Sequence, residues 1–86
     1  IKKVFIYPNP AQDRIFWYMT AEKIYHIVAE LSDMNGRVLI RQDVKRYQPG
    51  DIKEISLNHI ASGIYNIRIR NNSSGERYGI IRIIKQ

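Results

Sequence analysis

Apolar residues recur at every second position, turn-forming residues separate the runs at short intervals, and no stretch shows helical spacing. These three observations predict an all-β fold, an immunoglobulin-like antiparallel β-sandwich of about seven strands. The 86 residues read as one domain, 1–86, near the lower end of what a single hydrophobic core holds together. A second lobe, and with it a cleft between domains, has no room.

Val4–Tyr7 is a short first strand. It runs into Pro8-Asn9-Pro10, where each proline fixes its own φ near about −65°, offers no N–H to a ladder and holds the residue before it extended. Prolines so placed do not pair inside a sheet. The segment therefore reads as a stiff corner that carries the chain from one sheet of the sandwich to the other. Arg14–Met19 follows as a second strand, with Trp17 in the core and Phe16 and Tyr18 facing out.

The run 26–32 puts Ile27, Ala29 and Leu31 on one face and Val28, Glu30 and Ser32 on the other. Asn35-Gly36 then signals a hairpin, because both residues accept the positive φ of a type I′ turn. The return strand covers 37–42. After the polar stretch 43–51, with a turn at Pro49-Gly50, residues 52–57 alternate again and turn Ile55 and Leu57 inward.

Gly63 to Arg70 alternates cleanly, with Tyr65, Ile67 and Ile69 inward and Asn66, Arg68 and Arg70 toward water. The stretch "LNHIASGIY" has the layout of a tyrosine corner: Leu57 ends a strand, Ile60 plugs the base of the core, Gly63 permits a tight bend, and the Tyr65 hydroxyl reaches back to the preceding connection. The last strand, 77–85, departs from simple alternation. Ile80 and Ile84 fall on one face and Ile81 and Ile83 on the other, so both faces are apolar. Such a strand is buried on both sides, bulged, or docked to another chain. Its backbone edge is a template for strand addition, with Arg82 and Lys85 as guards.

Fourteen Lys and Arg stand against eight Asp and Glu, a formal charge of +6. The positive charges are scattered and form no block, which is the pattern of solvated strand faces. With no cysteine, disulfides, thiolate metal sites and a cysteine nucleophile are all excluded. No apolar run approaches the roughly 20 residues of a membrane-spanning helix. The opening Ile1-Lys2-Lys3, with no initiator methionine and no leader pattern, reads as a piece cut from something longer.

Catalysis finds no support. His26 and His59 fall into no metal-ligand spacing. Asp13, Asp33, Asp43 and Asp51 sit at turns or strand ends, where the side chain bonds nearby backbone N–H groups. The glycine of "SSGE" precedes no helix that would cradle a phosphate. The residues lead to a non-enzymatic chain that needs no cofactor and no metal.

Taken in order, "YPNPAQDRI", "LSDMNGRV", "ISLNHIASGIYNIRI" and "IIRIIKQ" resemble the C-terminal sorting domain of the type IX secretion system of Bacteroidetes, and the resemblance covers essentially the whole chain. It implies a domain at the end of a cargo protein, exported to the periplasm and then directed across the outer membrane to the surface or the medium. It also implies removal by a surface sortase that joins the cargo to an anionic lipopolysaccharide. The docking residues expected are Ile80, Ile81, Arg82, Ile83, Ile84 and Lys85, toward the secretion machinery or, in isolated domains at high concentration, toward a second copy. Pro8, Asn9, Pro10, Asn35, Gly36, Gly63 and Tyr65 are expected to set the fold. No nucleic-acid partner is expected of a sorting domain. The competing function is a fibronectin-like accessory module that binds anionic glycan or nucleic acid through its basic face with Phe16 and Tyr18.

Overall fold

The structure, a computed structural model, describes residues 2–86. Seven antiparallel strands form two packed sheets: β1 (Val4–Tyr7), β2 (Arg14–Met19), β3 (Tyr25–Ser32), β4 (Val38–Tyr47), β5 (Lys53–Ser56), β6 (Gly63–Asn71) and β7 (Arg77–Lys85). One sheet has the order β1-β2-β5 and the other β4-β3-β6-β7. The expected sandwich is thus present, with its core between the sheets. Ile15, Trp17, Met19, Ile55 and Leu57 meet Ile27, Ala29, Leu31, Tyr47, Ile67, Ile69 and Ile83 there. Alternation explains this set, since each strand delivers every second side chain to the interior.

The Pro-Asn-Pro corner does not take the chain from one sheet to the other. β1 and β2 pair with each other, from Val4 opposite Met19 to Tyr7 opposite Phe16, within the same three-stranded sheet. The peptide bonds before Pro8 and Pro10 are both cis. What the loop does instead is reach the edge of the other sheet and bond to it. Ala11 forms an isolated parallel bridge with Lys85, donating to Ile84 O at 2.8 Å while its own carbonyl accepts from Gln86 N at 2.8 Å. Residue 11 behaves as a one-residue eighth strand, so the loop spans the sheets although the chain stays in the first.

The hairpin at Asn35-Gly36 exists, but its turn is not type I′. No residue other than glycine has positive φ among the described residues; Gly36 does, at 87°. Gly36 N donates to Asp33 O, and Asp33 N donates to Arg37 O, both at 3.0 Å. The Asp33 carboxylate takes the N–H groups of Asn35 and Arg37 at 2.9 Å. This is a turn closed by a left-handed glycine with a register shift next to it, the longer hairpin type. Asp33 decides the outcome by supplying acceptors that hold residue 35 right-handed.

β4 also runs on to Tyr47, through residues read from sequence as a polar connection. Val44 and Tyr47 of that extension enter the core. The Tyr47 ring stacks on Trp17, with centroids 5.3 Å apart and planes 11° from parallel, while its hydroxyl accepts from Met19 N at 2.9 Å and donates to Asp51 O at 2.6 Å. Burial pushes the pKa of this phenol above the usual 10.0.

Candidate functional site: the terminal hairpin and the faces around it

The tyrosine corner forms as expected. Tyr65 is 7% exposed and its hydroxyl donates to the carbonyl of Ala61. Pinned in this way, β6 receives β7 along its length, with Ile83 opposite Tyr65, Ile81 opposite Ile67, Arg82 opposite Asn66 and Ile84 opposite Ile64. Near the start of β7 the register shifts between Arg68 and Arg70, and Gly79 there takes φ 113°, a conformation that L side chains rarely adopt. The bulge sets the facing of everything after it.

The four isoleucines divide by face. Ile83 is wholly buried, Ile81 packs against the core, and Ile80 and Ile84 stand 59% and 42% exposed. The last residues of β7 are not an open edge. Asn9 clasps the strand from the side, its amide donating to Arg82 O at 2.9 Å and its carbonyl accepting from Ile84 N at 3.1 Å. Together with Ala11, this satisfies the groups that would otherwise recruit a strand. Lys85 turns away from solvent, and its ammonium caps the carbonyls of Leu57 and Ile60 at 2.6 Å each. Of the six expected docking residues, the structure therefore gives Ile81, Ile83 and Lys85 to the interior and leaves Ile80, Arg82 and Ile84 on the outer face.

That outer face continues across the sheet as a charge network. Glu30 of β3 accepts from Arg70 of β6 and lies 3.8 Å from Arg41 of β4. Arg68 donates to the Ser32 hydroxyl at 3.0 Å. His26 contacts Asp43 at 2.6 Å, and this hydrogen bond, reinforced by the charges of Arg41 and Lys45, holds the Asp43 carboxyl below its usual 3.8. Val28, placed by sequence on this polar face, is fully buried in it; it sits in the central strand between Asp43 and Arg70. Long polar side chains cover an apolar neighbour with their stems.

The opposite side of the sandwich is aromatic. Phe5 stacks on Tyr18, with centroids 4.8 Å apart, and Tyr7 on Phe16 at 5.6 Å, with Tyr7 and Tyr18 edge to face at 6.3 Å. Sequence singled out Phe16 and Tyr18 but not the β1 rings that join them. Each ring spends one face or edge on a neighbouring ring, which reduces the area open to a stacked base or sugar. Among the described residues, no group of three or more His, Cys, Asp or Glu side chains is placed to hold a metal ion. Among the described residues, no helix is long and apolar enough to cross a membrane.

The geometry defines a small immunoglobulin-like module whose outward features are surfaces for contact. Residues 5–85 match the model of a family described as the secretion system C-terminal sorting domain, and the chain belongs to that family, the tail domains of type IX secretion in Bacteroidetes, a route that works at the outer membrane. No curated protein matches the chain significantly. Membership identifies a sorting signal of the type IX system, exported by that system and engaged by its machinery.

Proposed function

We propose that residues 1–86 form the removable address label at the end of a longer cargo protein, without catalytic activity of its own. The label is read in its folded form during transit from the periplasm across the outer membrane, and a surface sortase then cuts it from the cargo. The family match over residues 5–85 carries this reading. The division of β7 refines it: Ile80, Arg82 and Ile84 are the terminal-strand residues a receptor can touch, whereas Ile81, Ile83 and Lys85 act by holding the strand in place. Self-association of the isolated domain then runs face to face through Ile80 and Ile84, since Asn9 and Ala11 block strand addition at the end of β7.

The test is a reporter fused in front of the chain and expressed in a bacterium that secretes by the type IX route. Ile80→Glu with Ile84→Glu is expected to keep the thermal midpoint of the domain, because both side chains already face water, and to lower the amount of reporter at the surface. A reporter that reaches the surface equally well with and without the domain would overturn the reading.

A further inference from the structure

We propose that the outer face of the β6–β7 hairpin docks an acidic protein surface, with Arg68, Arg70, Arg77 and Arg82 meeting carboxylates and the exposed Ile80 and Ile84, on either side of Arg82, adding apolar contact. This rests on the sorting reading and adds the chemistry of the partner. The bulge at Gly79 brings Arg77 directly opposite Arg70 across the ladder, and Ile80 opposite Arg68. Like charges placed opposite each other destabilise a strand pair, so the arrangement disfavours the isolated sheet. Compensation from within is thin. Glu30 is the carboxylate that serves these arginines, and Arg41 shares it. Arg68 has the neutral Ser32 hydroxyl. Among the described residues, Arg77 and Arg82 have no carboxylate in ion-pair contact. Between Glu30, Arg68, Arg70, Arg77 and Ile80 lies a hollow of about 230 Å³, room for carboxylate side chains to enter.

The kind of cation narrows the class of partner. The lysine of β7, Lys85, points inward, so the hairpin shows only guanidinium groups, which match carboxylates in planar, two-pronged contacts. Arginine mixed with exposed isoleucine fits the centre of a protein interface, from which lysine is depleted. A polyanionic chain held by charge alone gains equally from lysine and draws on open aromatic faces. Here the rings lie on the other sheet, packed against each other.

The decisive variant is Arg77→Glu with Arg82→Glu, two exposed side chains with no ion pair among the described residues, compared with Lys23→Glu with Arg46→Glu, which changes the net charge equally elsewhere. In the reporter fusion, the hairpin pair is expected to lower surface delivery about tenfold, the equivalent of one decade in affinity, while the control pair leaves it nearly unchanged. The control pair keeps the thermal midpoint, and the hairpin pair does not lower it, because Arg77→Glu relieves the like-charge pairing with Arg70. Arg77→Lys with Arg82→Lys is expected to lose several-fold. Equal losses in the hairpin and control pairs, or normal delivery of the hairpin pair, would overturn the proposal. So would co-sedimentation of the 86-residue chain with phosphatidylglycerol vesicles that the hairpin pair abolishes, which would assign the arginines to lipid phosphates. Deleting residues 5–85 separates the two readings. Delivery that survives the deletion defeats the sorting reading itself, whereas delivery lost on deletion but kept in the hairpin pair defeats only the acidic partner.

Discussion

Replacing Asn9 by Ala removes both arms of the clasp on β7 and touches nothing in the core. One arm is the amide donating to Arg82 O at 2.9 Å, the other the Ile84 N–H donating to the Asn9 carbonyl at 3.1 Å. A hydrogen bond contributes about 0.5–1.5 kcal/mol net, and these two are solvent-accessible, so their joint loss costs about 1–2 kcal/mol. For a domain of this size each kcal/mol lowers the thermal midpoint by roughly 4–8 °C, which gives a drop of about 5–15 °C. Circular dichroism on heating measures it. Amide hydrogen exchange supplies the local reading: the Ile84 N–H should exchange faster, and the Ile83 N–H, on the β6 side of the same strand, much less so. A midpoint unchanged from that of the parent chain, with Ile84 exchange also unchanged, would refute the claim that the loop holds the strand.

Two further outcomes follow from the geometry. Tyr65→Phe deletes the hydroxyl bond to Ala61 O and should cost about 0.5–1.5 kcal/mol in chemical denaturation, while Tyr65→Ala adds a cavity and should cost about 3–5 kcal/mol, enough to unfold much of a domain of marginal stability. The depressed Asp43 carboxyl gives an acid-side effect: its folded value lies below the usual 3.8, so its contribution is complete above that value and is lost as pH falls through the folded one. Thermal midpoints followed from about pH 6 to about pH 2 should fall less steeply in Asp43→Asn than in the parent.

The strands whose apolar residues alternate were readable in advance, because burying one face of a sheet imposes a period of two. β2, β6 and the inward residues of β3 and β5 all lie where that period puts them. Alternation by itself ends β4 at residue 42, because Lys45 and Arg46 interrupt the pattern; Val44 and Tyr47, three positions apart, look unlike one strand face until the register shift between Tyr25 and Ile27 on the neighbouring strand is known. The Asn35-Gly36 pair named the hairpin but not its turn, since the side chain that fixes the turn belongs to Asp33. Pro8 and Pro10 announced a non-pairing corner correctly. Its destination was hidden, because Asn9 and Ala11 find their partners some 73–75 positions along the chain. The site divides in the same way. Exposure of Ile80 and Ile84 against burial of Ile83 depends on a bulge at one glycine, and the inward turn of Lys85 on two carbonyls of the 57–60 turn. Neither leaves a trace in composition or spacing.

The clasp between Asn9 and the far end of β7 ties one of the earliest-made parts of the domain to one of the last. During synthesis the β1–β2 loop emerges long before Arg82 and Ile84 exist, and Leu57 and Ile60 wait as long for the ammonium of Lys85. Contacts of such sequence separation form late and depend on a complete chain. A product that stops a few residues early lacks the Ile83 side chain that closes the core and the backbone that Asn9 grips, so it offers no folded shape for a receptor to read. The fold is therefore complete only on molecules translated through β7.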